Sequence, residues 1–346
     1  MSRTGASLLA VLVTSLALPT LAGGAEASLN HPTGTHGLIM VDKVGARVLF
    51  FGPGGDQELG ELRPSATPGL RPHELALSPD ERSAYVSVYG DGVFGNNPHP
   101  GHSIAIIDLA TRRMVGSIDV RPYRAPHGMQ VDANGLLYVA CDLDHKVLVI
   151  DPRTRRIETA IDVGEAGHWI ALAEPSGRLY VSAHGTSPFI SVIDVSARRV
   201  IGRIPIEHGT MGVAVSPDGG TLLAADAAGP TLHVISTRDD REVARVRVQG
   251  VTSGLYKVFY SPDGRYVLTC LLNGQINIFD AHHLQAPQRT VHSAGTALMG
   301  FAFSADGRSA LTGNHAQGTV SRIDLATARI TDTFPAGRGV ETLAYY

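Results

Sequence analysis

A β-branched run closing on a turn residue recurs seven times along this 346-residue chain, and that repeat limits the possible folds more than any other feature. The copies are Val48-Leu49-Phe50-Phe51-Gly52, Ile104-Ala105-Ile106-Ile107-Asp108, Val147-Leu148-Val149-Ile150-Asp151, Ser191-Val192-Ile193-Asp194, Leu232-His233-Val234-Ile235-Ser236, Ile276-Asn277-Ile278-Phe279-Asp280 and Val320-Ser321-Arg322-Ile323-Asp324. Their closing residues lie 56, 43, 43, 42, 44 and 44 apart, so the unit is near 43 residues with one insertion. Ahead of several runs stands a second signature: Ser78-Pro79-Asp80, Ser216-Pro217-Asp218-Gly219, Ser261-Pro262-Asp263-Gly264 and Ser304-Ala305-Asp306-Gly307. Ser first, Pro next and Gly last is the composition of a type I turn. Alternating apolar residues flank these turns, as in Val213-Ala214-Val215 and Leu222-Leu223, which predicts hairpins of half-buried strands. Each unit therefore holds four short antiparallel strands, a to d. The Asp that ends most c strands is expected to cap the next turn through an Asx-type hydrogen bond.

Four strands every 40-odd residues form one propeller blade. The ends of the chain predict closure. Glu341-Thr342-Leu343-Ala344-Tyr345-Tyr346 has the pattern of strand a with no successor, and Leu38-Ile39-Met40-Val41-Asp42 reads as strand b with no predecessor. The 22 residues after Asp324 and the 25 from Ser28 to Gly52 together match one repeat. The expected fold is an all-β, seven-bladed β-propeller over residues 37–346, closed by the C-terminal strand completing the N-terminal blade, so that no blade is left exposed at the end of a linear stack.

Stretches such as Gly135-Leu136-Leu137-Tyr138-Val139-Ala140 and Gly177-Arg178-Leu179-Tyr180-Val181-Ser182, each followed by an Ile-Asp strand, resemble the bacterial YVTN-repeat β-propeller family. The resemblance spans nearly the whole chain after its first residues. It implies a seven-bladed, often periplasmic protein.

Residues 1–27 read as a signal peptide, with Arg3 before an eleven-residue apolar run from Leu8 to Leu18, then Pro19 and the small-x-small site Ala25-Glu26-Ala27. A leader, 28–36, would precede the propeller, and the expected location is periplasmic or secreted. Lys and Arg number 29 against 32 Asp and Glu, scattered in sign, so nucleic acid is excluded as an expected partner. No later stretch is long and apolar enough for a transmembrane helix. Cys141 and Cys270 occupy equivalent places in non-adjacent units and are expected to remain separate buried thiols.

In a blade meander the start of a, the end of b, the start of c and the end of d share one face, and a is innermost. Aligned by alternation, the first positions of the seven a strands are His73, His127, His168, Met211, Tyr256, Met299 and Glu341. His184 joins from a b–c loop. The insertion, Tyr89 to His102, adds His99 and His102 on a loop expected to fold over the channel mouth, and the d–a loops bring Arg71, Arg121, Arg124 and Arg338 near it. Trp169 is expected to point away and pack between blades.

Three readings of this mouth stand open. The first is a binding scaffold, a polar ring recognising a small ligand, metal or protein, with Arg71, Arg124, Tyr256, Met211, Met299, His99 and His102 as contacts. The second is a periplasmic metal-dependent enzyme on His73, His127, His168 and His184, where thioethers would favour copper as cofactor. Its location resembles the multi-histidine copper site of nitrous oxide reductase propellers. The third rests on Arg71-Pro72-His73 and Ala125-Pro126-His127, which resemble a motif of seven-bladed lactonases and imply a hydrolase with His127 or Glu341 as base and Arg71 and Arg124 as clamps. No Gly-x-Ser-x-Gly elbow, phosphate-binding loop or Cys-x-x-Cys-His motif occurs.

Overall fold

Apolar runs with no polar alternation, such as Leu38-Ile39-Met40-Val41, fit strands covered on both faces. In the computed structural model, which describes residues 36–164, 167–185 and 187–346, this is what the ring provides. Leu38 and Met40 pack with Leu311, Val320 and Phe334 of one neighbouring blade. Ile39 and Val41 pack with Leu75, Val86 and Ile107 of the other. Each such side chain is fully buried and contributes roughly 1.5–3 kcal/mol.

Seven four-stranded antiparallel sheets form the ring. Their innermost strands, in blades 1 to 7, are Val340–Tyr345, Arg71–Leu77, Pro126–Val131, Ile170–Ala173, Thr210–Val215, Lys257–Tyr260 and Leu298–Phe303. Blade 1 is composite: Val340–Tyr345 lies against Leu38–Asp42, pairing Leu38 with Tyr345, Ile39 with Ala344 and Met40 with Leu343. The chain ends thus close the circle as the repeat predicts. The outermost strands, such as Arg113–Asp119, are largely exposed and carry charge, which blunts their free edges. Among the described residues, no helix is long and apolar enough to cross a membrane. The signal-peptide residues lie outside the described residues.

The turn chemistry is as read. Ser78 Oγ donates to Asp80 at 2.6 Å and accepts from the Ser83 N–H, and the same network recurs at Ser216, Ser261 and Ser304. Asp108, Asp194 and Asp324 each accept the N–H three residues on, while Asp151 and Asp280 accept the one two residues on. Cys141 and Cys270 are buried and free.

One irregularity positions everything that follows. At the start of each innermost strand, two residues face one on strand b, which is a bulge. The pairing jumps from Pro72–Val88 to Leu75–Val86 in blade 2, from Pro126–Cys141 to Met129–Val139 in blade 3, and likewise in blades 1, 5 and 7. In blade 4 the His168 N–H donates to the Ser182 carbonyl, while the Ser182 N–H donates to the Trp169 carbonyl. Blade 6 sets both Tyr256 and Lys257 against Cys270. The first bulge residues are the seven positions aligned from the sequence. The second are Glu74, Gly128, Trp169, Gly212, Lys257, Gly300 and Thr342. Glycine is required where blades touch: a Cβ on Gly128 would lie 2.3 Å from the His168 carbonyl oxygen, to which the Gly128 N–H donates at 3.1 Å.

Candidate functional site

The bulges of blades 2, 3 and 4 bring three imidazoles into one stack. The His127 and His168 rings are 3.6 Å apart at 23°, and the His73 ring is 4.5 Å from that of His127. All three side chains are buried. Their tautomers follow from their partners. His127 Nδ1 donates to the His168 carbonyl at 3.1 Å, leaving Nε2 as a lone-pair atom that faces Glu74 across 4.0 Å. His168 Nδ1 donates to both carboxylate oxygens of Asp142 at 3.0 Å, leaving Nε2 as its lone-pair atom. Tyr89 donates to the same carboxylate at 2.8 Å, so Asp142 is held from two sides. Buried His73 Nδ1 has no hydrogen-bond partner among the described residues.

Carboxylates flank the stack. Glu74 accepts from Thr342 Oγ1 at 2.7 Å and from Lys257 Nζ at 3.4 Å, with His73 Nδ1 3.7 Å away. Lys257 also donates to the Met299 carbonyl at 2.6 Å and stands 5.0 Å from the Trp169 ring centre. Glu341, on the far side of His73, lies 3.5 Å from its Nε2. Two sets of donors, His73–Glu74–His127 and His127–Asp142–His168, each place one ligand atom per residue within 4.8 Å of the others. His127 belongs to both.

Burial sets the protonation states. It pushes His127 and His168 well below the usual imidazole range, reinforced by His168 acting on His127 and by His184 acting on His168, so both rings are neutral. It pushes Asp142 up to about 6. Burial would raise Glu74 as well, but Lys257 and the nearby His73 and His127 overcome it and hold this carboxyl well below its usual range. Glu341 is likewise held low against burial by His73, His315 and Lys43.

These states predict an acid response whose sign can be worked out. Below pH ~6.5 the unfolded chain protonates both histidines while the folded ring does not, so each costs about 1.4 kcal/mol of stability per pH unit. Asp142 opposes this between about 6 and 4, because its folded form binds the proton first. The balance is a net loss of stability from pH ~6.5 to ~4.5, to which Glu74 and Glu341, held low in the folded ring, add. Urea titrations in chelator at the two pH values check it; equal midpoints would show the imidazoles to be charged in the folded state.

Other sequence candidates are placed unequally. His184, at φ +50°, is sandwiched between the rings of Phe94 and Trp169, 4.4 and 5.1 Å away, and meets His168 edge-on at 4.5 Å. Tyr256 stands against Trp169. Arg71 is half-buried where the innermost strand of blade 2 begins. Arg124 is committed to Asp144 and the Leu143 carbonyl, outside the stack. His99 stays exposed on Asp91, and His102 Nδ1 is bonded to the Tyr123 carbonyl. The insertion does cover the site, but with Phe94 rather than a histidine. The Met211 sulfur lies near Gly185, and Met299 enters the network through its carbonyl. Trp169 packs between blades 4 and 5 as expected, beside Tyr180, Val213 and Leu222, but it does not point away from the mouth: it precedes the regular strand, so alternation does not apply, and the bulge also turns it against His127, His168 and His184.

Sequence reasoning missed Glu74, Lys257 and Thr342, because a bulge adds a second inward residue that strict alternation assigns elsewhere. It also missed Asp142, Tyr89, Lys43 and His315 at the ends of b strands; the b-end alignment that gave His184 would have found them. Past the second bulge residues the channel widens into a cavity of about 370 Å³ that reaches Pro175 and Pro217 on the opposite face.

No family model matches the chain, so the YVTN resemblance stands on the blade residues alone. Over 154 residues, 44% of this chain and 49% of the relative, it is 27% identical to the WD repeat-containing protein SL1-17 of Schistosoma mansoni, a match to about half of that protein's length. It superposes on a chain of the Kuenenia stuttgartiensis hydrazine synthase with a TM-score of 0.68 at 21% identity, covering 83% of this chain and 92% of that one. This likeness is one of fold: the chain is a closed seven-bladed β-propeller.

Proposed function

We propose that the chain binds a transition-metal ion at its channel mouth, through His73, His127 and His168 with Glu74 and Asp142 beside them. The observation that carries this is the buried imidazole stack, in which His127 and His168 give their Nδ1 atoms to the hydrogen bonds of the fold while His73 Nδ1 has no hydrogen-bond partner among the described residues. Three imidazoles crowded together in a core are costly unless their polar atoms find partners. Asp142 plays the part of the carboxylate that orients a ligating histidine and fixes its tautomer. Nitrogen and carboxylate oxygen donors suit Zn²⁺, Fe²⁺ or Cu²⁺. The reading does not lean on the methionines, since neither is tied to the imidazoles.

The hydrolase alternative has less support. Arg124 is occupied elsewhere, and His127 and Glu341 are held too low to serve as strong bases near neutral pH. Export through residues 1–27 belongs to the same proposal and would place the site in the periplasm or outside the cell.

The test is direct. Chain purified without an affinity tag, stripped with chelator and titrated with Zn²⁺, Cu²⁺ or Fe²⁺ is expected to take up stoichiometric metal. His168→Ala should weaken uptake at least ~100-fold, and Asp142→Asn, which removes only the orienting partner, by about 10–100-fold. Substoichiometric uptake by the wild type, or unchanged affinity in a His127→Ala/His168→Ala variant, would sink the reading.

A further inference from the structure

We propose a second divalent-cation position in the same mouth, between Glu341 and His315, so that the centre holds two ions. It deepens the metal-centre reading and rests on it in one respect, that this face of the ring collects ions at all. Its own basis is separate. Of the few buried side-chain polar atoms without a hydrogen-bond partner among the described residues, Glu341 Oε2 and His315 Nδ1 fall together, only 3.1 Å apart. They are close enough to bond and yet misaligned for it. A cation bonded at ~2.0–2.2 Å holds adjacent ligand atoms about 3–3.4 Å apart, so the spacing is that of two atoms sharing an ion.

The surroundings fix both groups in advance. Glu341 is the first bulge residue of blade 1, with its side chain 4% exposed, and its other oxygen faces His73 Nε2 at 3.5 Å. His73 thus stands between the two positions, turning Nδ1 towards Glu74 and Nε2 towards Glu341. His315 comes from the loop after strand b of blade 7. Asn314 clamps that loop by donating to Thr319 and Ser321 at 2.9 Å, while its carbonyl accepts from the Gln317 and Gly318 N–H groups. The His315 side chain is 21% exposed, leaving room for water to complete the shell. Lys43, buried beside Tyr89, attracts Glu341 over a longer distance and would weaken a cation there. One imidazole and one carboxylate select a borderline ion such as Zn²⁺ or Co²⁺ over Mg²⁺ or Ca²⁺.

Stoichiometry decides. Tag-free chain stripped of metal and titrated with Zn²⁺, with Co²⁺ absorption as a second readout, is expected to bind two equivalents. His315→Ala and Glu341→Gln should each bind one, His168→Ala should keep the Glu341–His315 ion, and Lys43→Met should tighten it. Circular dichroism confirms folding, and because His315 is partly exposed, His315→Ala decides alone if Glu341→Gln unfolds. A wild type that binds one equivalent, unchanged by either substitution, overturns the second position and leaves the first. Two equivalents retained in His315→Ala overturn its placement. Zero equivalents in the wild type overturn both.

Discussion

A chain ending at residue 339 is expected not to fold cooperatively. Losing Val340–Tyr345 strips blade 1 of its innermost strand and uncovers Leu38, Met40 and Leu49, which that strand shields together with blade 7. Val340, Leu343, Tyr345 and Tyr346 are themselves buried, and at roughly 1.5–3 kcal/mol per side chain their burial alone matches the ~5–15 kcal/mol net stability of a typical domain. The Tyr346 N–H and carbonyl bond to Gly37, so even the final residue closes the ring. Near-ultraviolet circular dichroism and urea unfolding provide the check. A truncated chain with a native spectrum and an unchanged midpoint would show that blade 1 stands without its partner.

Lys257→Met should be the most damaging single substitution in the channel, at about 3–5 kcal/mol, because it leaves the buried carboxylate of Glu74 without its ammonium. Thr342 still donates to that carboxylate, but a hydroxyl does not neutralise it. Glu74→Gln in the same chain should recover most of the loss, since the pair then disappears together and Met can still pack on Trp169. Urea midpoints for the wild type, both single variants and the double variant give the coupling between the two groups. A coupling near zero would mean that Glu74 draws its compensation from the histidines and not from Lys257.

The blades, their number and the closure were legible because each depends on local pattern: turn composition, apolar alternation and a count of repeats. The mouth was legible only in its first layer. His73, His127, His168 and Glu341 were found because one alignment of equivalent positions suffices to place them. Glu74 and Lys257 directly follow the first-layer positions His73 and Tyr256, but a strand read with strict alternation sends them to the opposite face. Trp169 was given the wrong direction for the same reason, although its packing between blades was read correctly. Asp142 and Tyr89 meet across 53 residues of chain, and no local rule pairs the end of one b strand with the end of the next.

The two-against-one step at the head of each innermost strand also bears on how such a ring can change its chemistry. Because those residues sit outside the regular ladder, their side chains are free of the register that holds each sheet together. Each blade therefore offers an interchangeable socket, its first bulge residue, around a common axis. Replacing Met211 or Met299 with histidine would extend the nitrogen donors around the circle while leaving every β-pairing as it is, so a closed scaffold of this kind can acquire, lose or relocate a reactive centre one blade at a time.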